Sequence, residues 1–217
     1  MVKLTLRGIK LVIFDLDGTL VDAYPAITSS FNHTLQRLGY PKKDKLTIRR
    51  AVGWGDRNLL KPFVRGKDLG KALAIYRQDH RKSLLVKSRL FPSAQRVLSC
   101  LKDKGYKLAI ASNRPTRFSK ILIRHLGLGE YFDYVLCGDK LKNMKPHPQI
   151  LQKIMRRLSV RPINTLYIGD MTIDAQAGRR AKVRTIIVTT GSSTRAELRR
   201  ERPYLIIDRI SELLRML

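Results

Sequence analysis

Short apolar runs rich in β-branched residues recur along the chain, with helix-length stretches between them. Leu11–Phe14, Leu108–Ala111, Tyr134–Cys137, Leu166–Ile168, Thr185–Val188 and Leu205–Ile207 read as strands. Between them lie apolar residues three and four apart: Val97, Leu98 and Leu101; Phe118, Ile121, Leu122 and Leu126; Ile150, Leu151, Ile154, Met155 and Leu158. These read as helices with one apolar face. Strand and helix in alternation predict an α/β chain with a Rossmann-like parallel sheet buried on both faces. Right-handed crossovers would bring every strand's carboxyl end to one edge, where open α/β sheets bind their ligands.

One region does not alternate. From about Ala23 to Leu90 the pattern is helical, with Ile27, Phe31, Leu35 and Leu38 on one stripe and Leu69, Leu73, Ile75 and Tyr76 on another. No strand is expected in it. The segment 23–90 therefore reads as an all-helical insert after the first strand, entered just beyond Asp22 and left near "RLFPS" (Arg89–Ser93). Pro92 and Ser93 would open the next helix. Residues 1–22 and 91–217 form the strand-and-helix core. No internal repeat or low-complexity tract interrupts either part.

Composition narrows the class. With 217 residues, 43% of them apolar, the chain can bury a sizeable interior. Cys100 and Cys137 are far apart and in no metal-ligand or redox spacing, so neither a disulfide framework nor a zinc site is indicated, and a reducing cytoplasm is the expected compartment. The segment "MVKLTLRGIKLVIF" is too charged for a signal peptide. No stretch approaches the roughly 20 apolar residues that span a bilayer, so no membrane association is expected.

The charge is extreme: 44 basic against 17 acidic residues, formally +27. Such a field concentrates phosphates and other anions near the surface. Residues 21–91 carry 16 basic and 5 acidic side chains, and the remainder is nearly as basic, so the excess is spread rather than gathered into a stripe with interleaved aromatics. A small anionic substrate or a general basic bias is favoured, and nucleic acid is possible but not favoured. Nothing in the pattern chooses between a monomer and a homodimer.

Against that background the scarce carboxylates gather at strand ends. "LVIFDLDGTLVD" places Asp15 and Asp17 just past the first strand, "KLAIASNRP" ends on Ser112 and Asn113, "GDKLKNMKPHP" offers Lys145 ahead of a helix, and "TLYIGDMTIDA" ends on Asp170 with Asp174 four residues on. A parallel sheet brings all of them to one edge. Crowded carboxylates stay ionised when a cation sits among them, and a set of oxygens without histidine or cysteine suits a hard ion, Mg²⁺ above all. A carboxylate beside Mg²⁺ can attack phosphorus, and a second one two residues on can protonate the leaving oxygen and later deprotonate water. Ser112, Lys145 and the backbone N–H groups near Gly18 and Asn113 would hold the phosphoryl oxygens.

"DLDGT" (Asp15–Thr19), "ASN" (Ala111–Asn113), "KP" (Lys145–Pro146) and "GDMTID" (Gly169–Asp174) resemble the four ordered motifs of the haloacid dehalogenase superfamily over essentially the whole chain. The helical insert resembles the cap of its phosphoglycolate phosphatase and β-phosphoglucomutase branch. The resemblance implies that Asp15 is the nucleophile, Asp17 the general acid/base whose backbone carbonyl also binds Mg²⁺, Ser112 and Lys145 the phosphate holders together with Gly18, Thr19 and Asn113, Asp170 a metal ligand, and Asp174 a second acidic group that binds or orients the metal shell. An aspartate at position 17 points to P–O chemistry, because the dehalogenases and phosphonatases of the superfamily lack it. One departure stands at a helix exit, where the family often has Ala-Gly and this chain has Ala181-Lys182.

The implied activity is that of a phosphatase acting on a small phosphorylated metabolite. A phosphomutase, a nucleotide or nucleic-acid end phosphatase and a non-catalytic anion-binding module remain as alternatives. Inside the insert, "GWGDR" (Gly53–Arg57) resembles the cap loop that sets specificity in related enzymes, which makes Trp54 and Arg57 its candidate residues. Asp22 reads either as a helix N-cap or as a contributor to the site. His33, His80 and His125 have no ligand spacing and read as surface or packing residues, and His147 reads as part of a helix start or the rim of the site.

Overall fold

In the computed structural model, which describes residues 7–216, strand β1 (Leu11–Phe14) is buried along its whole length. The charged segment 1–6 and the final residue lie outside the described residues. Val12 and Phe14 face a cluster with Val97, Leu98, Phe118 and Leu122, while Leu11 and Ile13 face another with Ile150, Leu151 and Ile154. Alternate residues of one strand thus meet helices on opposite faces, which is why an unbroken apolar run specifies this strand.

The other strands of the sheet are β4 (Lys107–Ser112), β5 (Tyr134–Cys137), β6 (Thr165–Gly169), β7 (Arg184–Val188) and β8 (Leu205–Ile207), in the order β5-β4-β1-β6-β7-β8 and all parallel. The chain builds outward from β1 to β5, then returns to begin β6 on the other side of β1. The switch point of the sheet therefore lies at β1, the place where doubly wound sheets open a crevice. Phe14 pairs with Ile110 of β4 and with Ile168 of β6, so Asp15, Ala111 and Gly169 stand level at one edge. Helices α5 (Ala94–Asp103), α6 (Thr116–His125), α7 (Gln149–Leu158), α8 (Thr172–Arg180) and α9 (Arg195–Arg200) accompany the strands.

Four helices, α1 (Tyr24–Arg37), α2 (Lys45–Ala51), α3 (Gly55–Leu60) and α4 (Leu69–Lys87), lie between β1 and α5. Ile27, Phe31 and Leu35 of α1 and Leu69, Leu73 and Tyr76 of α4 are buried, and Leu38 packs against them; Ile75 is only half-buried, and Ala72 takes the inward position beside it. Asp44 caps α2 by accepting from the backbone N–H of Thr47 (2.8 Å). The expectation that this region lacks strands is corrected at its borders. Val21–Asp22 (β2) and Arg89–Leu90 (β3) pair antiparallel, Val21 with Leu90 and Asp22 with Arg89, so the two connections to the insert form one ribbon. Two residues per strand are too few to show a period of two.

Pro92 and Ser93 precede α5 as expected, but Ser93 is left-handed (φ 66°) and makes no side-chain cap. Lys182 is left-handed too (φ 59°), at the helix exit where glycine is the commoner occupant. Among the described residues no helix is long and apolar enough to cross a membrane.

Candidate active site

Lys145 organises the edge above β1. Its side chain is 2% exposed, and Nζ lies 2.7 Å from Asp15 Oδ1, 2.8 Å from Asp174 Oδ1, 3.0 Å from the Tyr167 hydroxyl and 3.1 Å from the Ala111 carbonyl. Burial alone would lower its pKa; Asp15 and Asp174 reverse that and raise it, so the ammonium stays charged. Burial, with Lys145 opposing and Asp174 adding to it, raises the Asp15 carboxyl to about 6. Tyr167, on β6, donates to Asp174 Oδ1 (2.6 Å). Asp174 Oδ2 accepts from the backbone N–H groups of Asp170 (3.1 Å) and Met171 (3.0 Å), so both of its oxygens are engaged in holding the loop after β6.

Asp170 is fully buried. Its Oδ1 accepts from the Thr19 hydroxyl (2.9 Å), whereas Oδ2 has no hydrogen-bond partner. Burial, Asp15 and Asp174 together hold its carboxyl well above the usual range. The backbone closes tightly around it. A Cβ on Gly18 (φ 84°) or on Gly191 would collide with the Asp170 carboxylate, so both positions require the small residue they have. The Tyr24 hydroxyl, also without a partner, sits 3.1 Å from where that Gly18 Cβ would be.

One carboxylate oxygen from each of Asp15, Asp170 and Asp174 falls within 4.8 Å of the others. Asp15, Asp170 and Asp174 share one buried cation, Lys145, while Asp17 is paired with Arg114; the crowding that holds the Asp170 carboxyl high is what a cation among these oxygens would relieve. The orphaned Oδ2 of Asp170 and the all-oxygen donor set fit a hard metal cation.

Asp17 turns away from this cluster. Its two oxygens accept from Nη2 and Nε of Arg114 at 2.7 Å each, and Nη1 of Arg114 lies 2.8 Å from Nε2 of His80 on α4. Burial, reinforced by Arg114, pushes the His80 imidazole well below its usual range and keeps it neutral. Ser112 is buried with its Oγ accepting from the Arg114 backbone N–H (3.2 Å). Asn113 is a brace: its amide donates to the carbonyls of Gly53 (2.9 Å) and Lys145 (3.0 Å) and accepts from the Lys145 N–H (2.9 Å).

A cavity lies between this edge and the helical insert, lined among others by Asp15, Asp17, Ser112, Asn113, Arg114, Lys145 and Asp174. Helix α2 fastens the insert to the loop after β7. Arg49 donates to the carbonyls of Thr190 (2.6 Å) and Gly191 (2.9 Å), and Arg50 donates to the Ser192 carbonyl (2.7 Å) and pairs with both oxygens of Glu197 (2.8 and 2.9 Å).

Several expectations need correcting. Trp54 is 44% exposed and Arg57 is exposed; neither lines the cavity, because α3 turns its Gly55, Asp56 and Leu59 inward instead. Thr19 gives its hydroxyl to Asp170 rather than to the cavity, and Gly18 packs on the same carboxylate. His80 is buried and packs against Tyr76 and Phe118, the packing alternative of its reading. His33 and His125 are exposed, and His147 accepts from the Gln149 N–H (3.2 Å) in a helix start. Asp22 accepts from the Tyr24 N–H (3.2 Å) without capping α1.

Sequence reasoning missed Arg114, His80, Tyr167 and Tyr24. Arg114 carried a signal, since it directly follows Ser112 and Asn113, and so did Tyr167, a polar tip inside a buried strand. His80 and Tyr24 carried none.

The family model for haloacid dehalogenase-like hydrolase matches residues 12–188. Phosphoglycolate phosphatase 1 of Pseudomonas aeruginosa is 31% identical over 214 residues, covering 94% of this chain and 78% of that protein, and phosphoglycolate phosphatase of Aquifex aeolicus is 30% identical, covering 96% of each. The crystal structure of a predicted phosphoglycolate phosphatase from Haemophilus somnus superposes with a TM-score of 0.91 at 25% identity, over 96% of this chain and 98% of that one. The ordered strand ends, the buried Asp15–Lys145–Asp174 network and the match over most of the length agree: the chain belongs to the haloacid dehalogenase-like hydrolases.

Proposed function

We propose that the protein is a Mg²⁺-dependent phosphatase that hydrolyses a small phosphorylated metabolite, phosphoglycolate foremost, through an aspartyl phosphate on Asp15. The observation that carries this is the arrangement at β1, with Asp15 held by Lys145 at 2.7 Å beside the unpartnered carboxylate oxygen of Asp170. Names of the relatives support the substrate class. A cavity walled on one side by Val52, Gly53, Leu59 and Tyr76 of the helical insert favours a small ester over a nucleic-acid end.

In the first step a carboxylate oxygen of Asp15 forms a bond to phosphorus, the phosphorus–ester oxygen bond breaks, and Asp17 gives the departing oxygen its proton. In the second, Asp17 takes a proton from water as the water oxygen bonds to phosphorus, and the bond between phosphorus and Asp15 breaks to release phosphate. Lys145 fixes the rotation of Asp15 and, with the Ser112 hydroxyl, would hold the phosphoryl oxygens. Asp15, Asp170 and the Asp17 carbonyl would hold Mg²⁺, with Asp174 framing them, and the ion supplies charge neutralisation for the nucleophile and the phosphoryl oxygens. In this reading residues 1–22 and 91–217 are the catalytic core and residues 23–90 a cap that excludes water and selects the substrate. Two free thiols, Cys100 and Cys137, support a cytoplasmic location.

The test is phosphate release from a panel of phosphorylated metabolites and a phosphate-terminated oligonucleotide, with and without Mg²⁺. Release that requires both Mg²⁺ and Asp15, lost in Asp15→Asn, is expected. Release that survives Asp15→Asn would overturn the reading.

A further inference from the structure

Arg114 is a cavity residue whose place the aspartate chemistry does not explain. Its guanidinium is buried, and its Nε, Nη2 and Nη1 are aimed at Asp17 and His80 at 2.7 to 2.8 Å. His80 is neutral, so it orients the guanidinium without balancing its charge; its Nδ1 meets the Ser30 hydroxyl at 3.3 Å, and its ring stacks on Tyr76 at 4.8 Å. Among the described residues lining the cavity, Arg114 and Lys145 are the lysine and arginine cations; Lys145 is held by two carboxylates, Asp15 and Asp174, and Arg114 by one, Asp17.

The order of groups along the wall matters. Asp15 meets phosphorus and Asp17 meets the ester oxygen, so whatever the ester oxygen carries extends toward Arg114. The cavity wall also holds the apolar or aromatic Ile27, Leu59, Tyr76 and Phe118, and Asp56, whose carboxylate is paired with Arg77 at 2.7 Å. A short carbon chain finds van der Waals contact there, and a second anion finds one cation in a planar fork suited to a carboxylate.

We propose that Arg114 reads a carboxylate carried one or two carbons beyond the ester oxygen, with His80 as its positioning residue. The proposal rests on the phosphatase reading above and deepens it. Engaging the substrate's carboxylate draws the guanidinium partly off Asp17, which lets Asp17 take up from solvent the proton it will give and turn to the ester oxygen. Substrates without the second anion leave Arg114 on Asp17.

The experiment compares kcat/KM for 2-phosphoglycolate and for ethyl phosphate, which has a methyl group in place of the carboxylate. Wild type is set beside Arg114→Gln, Arg114→Lys, His80→Leu and His80→Gln, with thermal melting as the check on folding. Wild type is expected to prefer phosphoglycolate by roughly 100-fold, and Arg114→Gln to reduce the preference to about threefold, through both KM and kcat. Arg114→Lys keeps part of it; His80→Leu loses part, and His80→Gln, whose amide oxygen can accept at the position of Nε2, restores it. A fall by the same factor for both substrates in Arg114→Gln would mean that Arg114 serves only Asp17, and would overturn the proposal. Should wild type cleave neither ester, the phosphatase reading fails by itself, and calorimetry decides on Arg114. Asp15→Asn must then bind phosphoglycolate more tightly than ethyl phosphate, a difference abolished by adding Arg114→Gln; equal affinities reject it.

Discussion

Replacing Lys145 by methionine removes one buried charge while keeping a flexible side chain of similar length. In the native protein Nζ is within 2.7 and 2.8 Å of two buried carboxylates, and nothing else among the described contacts of Asp15 and Asp174 is a cation. Removing one member of a buried ion pair costs about 3–5 kcal/mol, because the remaining charge is left without its partner. For a chain of this length each kcal/mol lowers Tm by roughly 2–4 °C, which puts the fall at roughly 6–20 °C.

The pH dependence gives the sharper test. Asp15 is raised from 3.8 to about 6 in the folded protein. A carboxyl with a raised folded pKa contributes stability that is fully present below its unfolded value of 3.8 and is lost as pH rises through about 6. Lys145 opposes that shift, so in Lys145→Met the shift grows and the loss extends to higher pH. Urea unfolding in EDTA should therefore show a larger difference between variant and wild type at pH 8 than at pH 5. An equal deficit at both values would mean that Lys145 contributes packing rather than charge.

Three further outcomes follow from the same geometry. Mg²⁺ at a hundred times its dissociation constant should stabilise the wild type by about 2.7 kcal/mol, and the gain should vanish in Asp170→Asn; thermal melting with Mg²⁺ and with EDTA reads both, and an undiminished gain in the variant removes Asp170 from the ligand set. Gly191→Ala places a methyl group against the Asp170 side chain and 2.6 Å from its carbonyl oxygen. It should weaken Mg²⁺ binding at least about tenfold by calorimetry, as displacement of a ligand does, and unchanged affinity would show that the loop gives way. Tyr167→Phe deletes the hydroxyl between Lys145 and Asp174 and should cost about 1.5–3 kcal/mol in urea unfolding, since both partners are charged; a variant as stable as wild type would show that the phenol is dispensable.

The core was legible because its strands are buried on both faces and so appear as unbroken apolar runs, and because Asp15, Ser112 and Asp170 stand at strand ends that parallel pairing must gather, with Lys145 in the loop after β5 and Asp174 in the first turn of α8 beside them. The ribbon of β2 and β3 was not legible, since two-residue strands have no period. His80 looks like any polar residue in a helix; its partner Arg114 is 34 residues away in sequence, and the contact exists only once α4 lies over the sheet edge. Trp54 and Arg57 drew attention by residue type, yet the residues of "GWGDR" that face inward are set by the phase of a six-residue helix, too short for the sequence to show.

Why so basic a chain gathers its carboxylates here has an electrostatic answer. The net charge of +27 draws anions from a distance, but a phosphate dianion arriving at the cavity meets the carboxyl groups of Asp15, Asp17, Asp170 and Asp174, with Lys145 and Arg114 already paired among them. Long-range attraction and local repulsion oppose each other until a divalent cation occupies the cluster. Asp174 shows how the fold arranges this: with both oxygens already accepting, it fixes the loop that carries Asp170 and leaves Oδ2 of Asp170 as the buried oxygen without a partner. The cation site is thus defined before any anion enters, and on the phosphatase reading the metal must bind first for the signs along the substrate's path to agree.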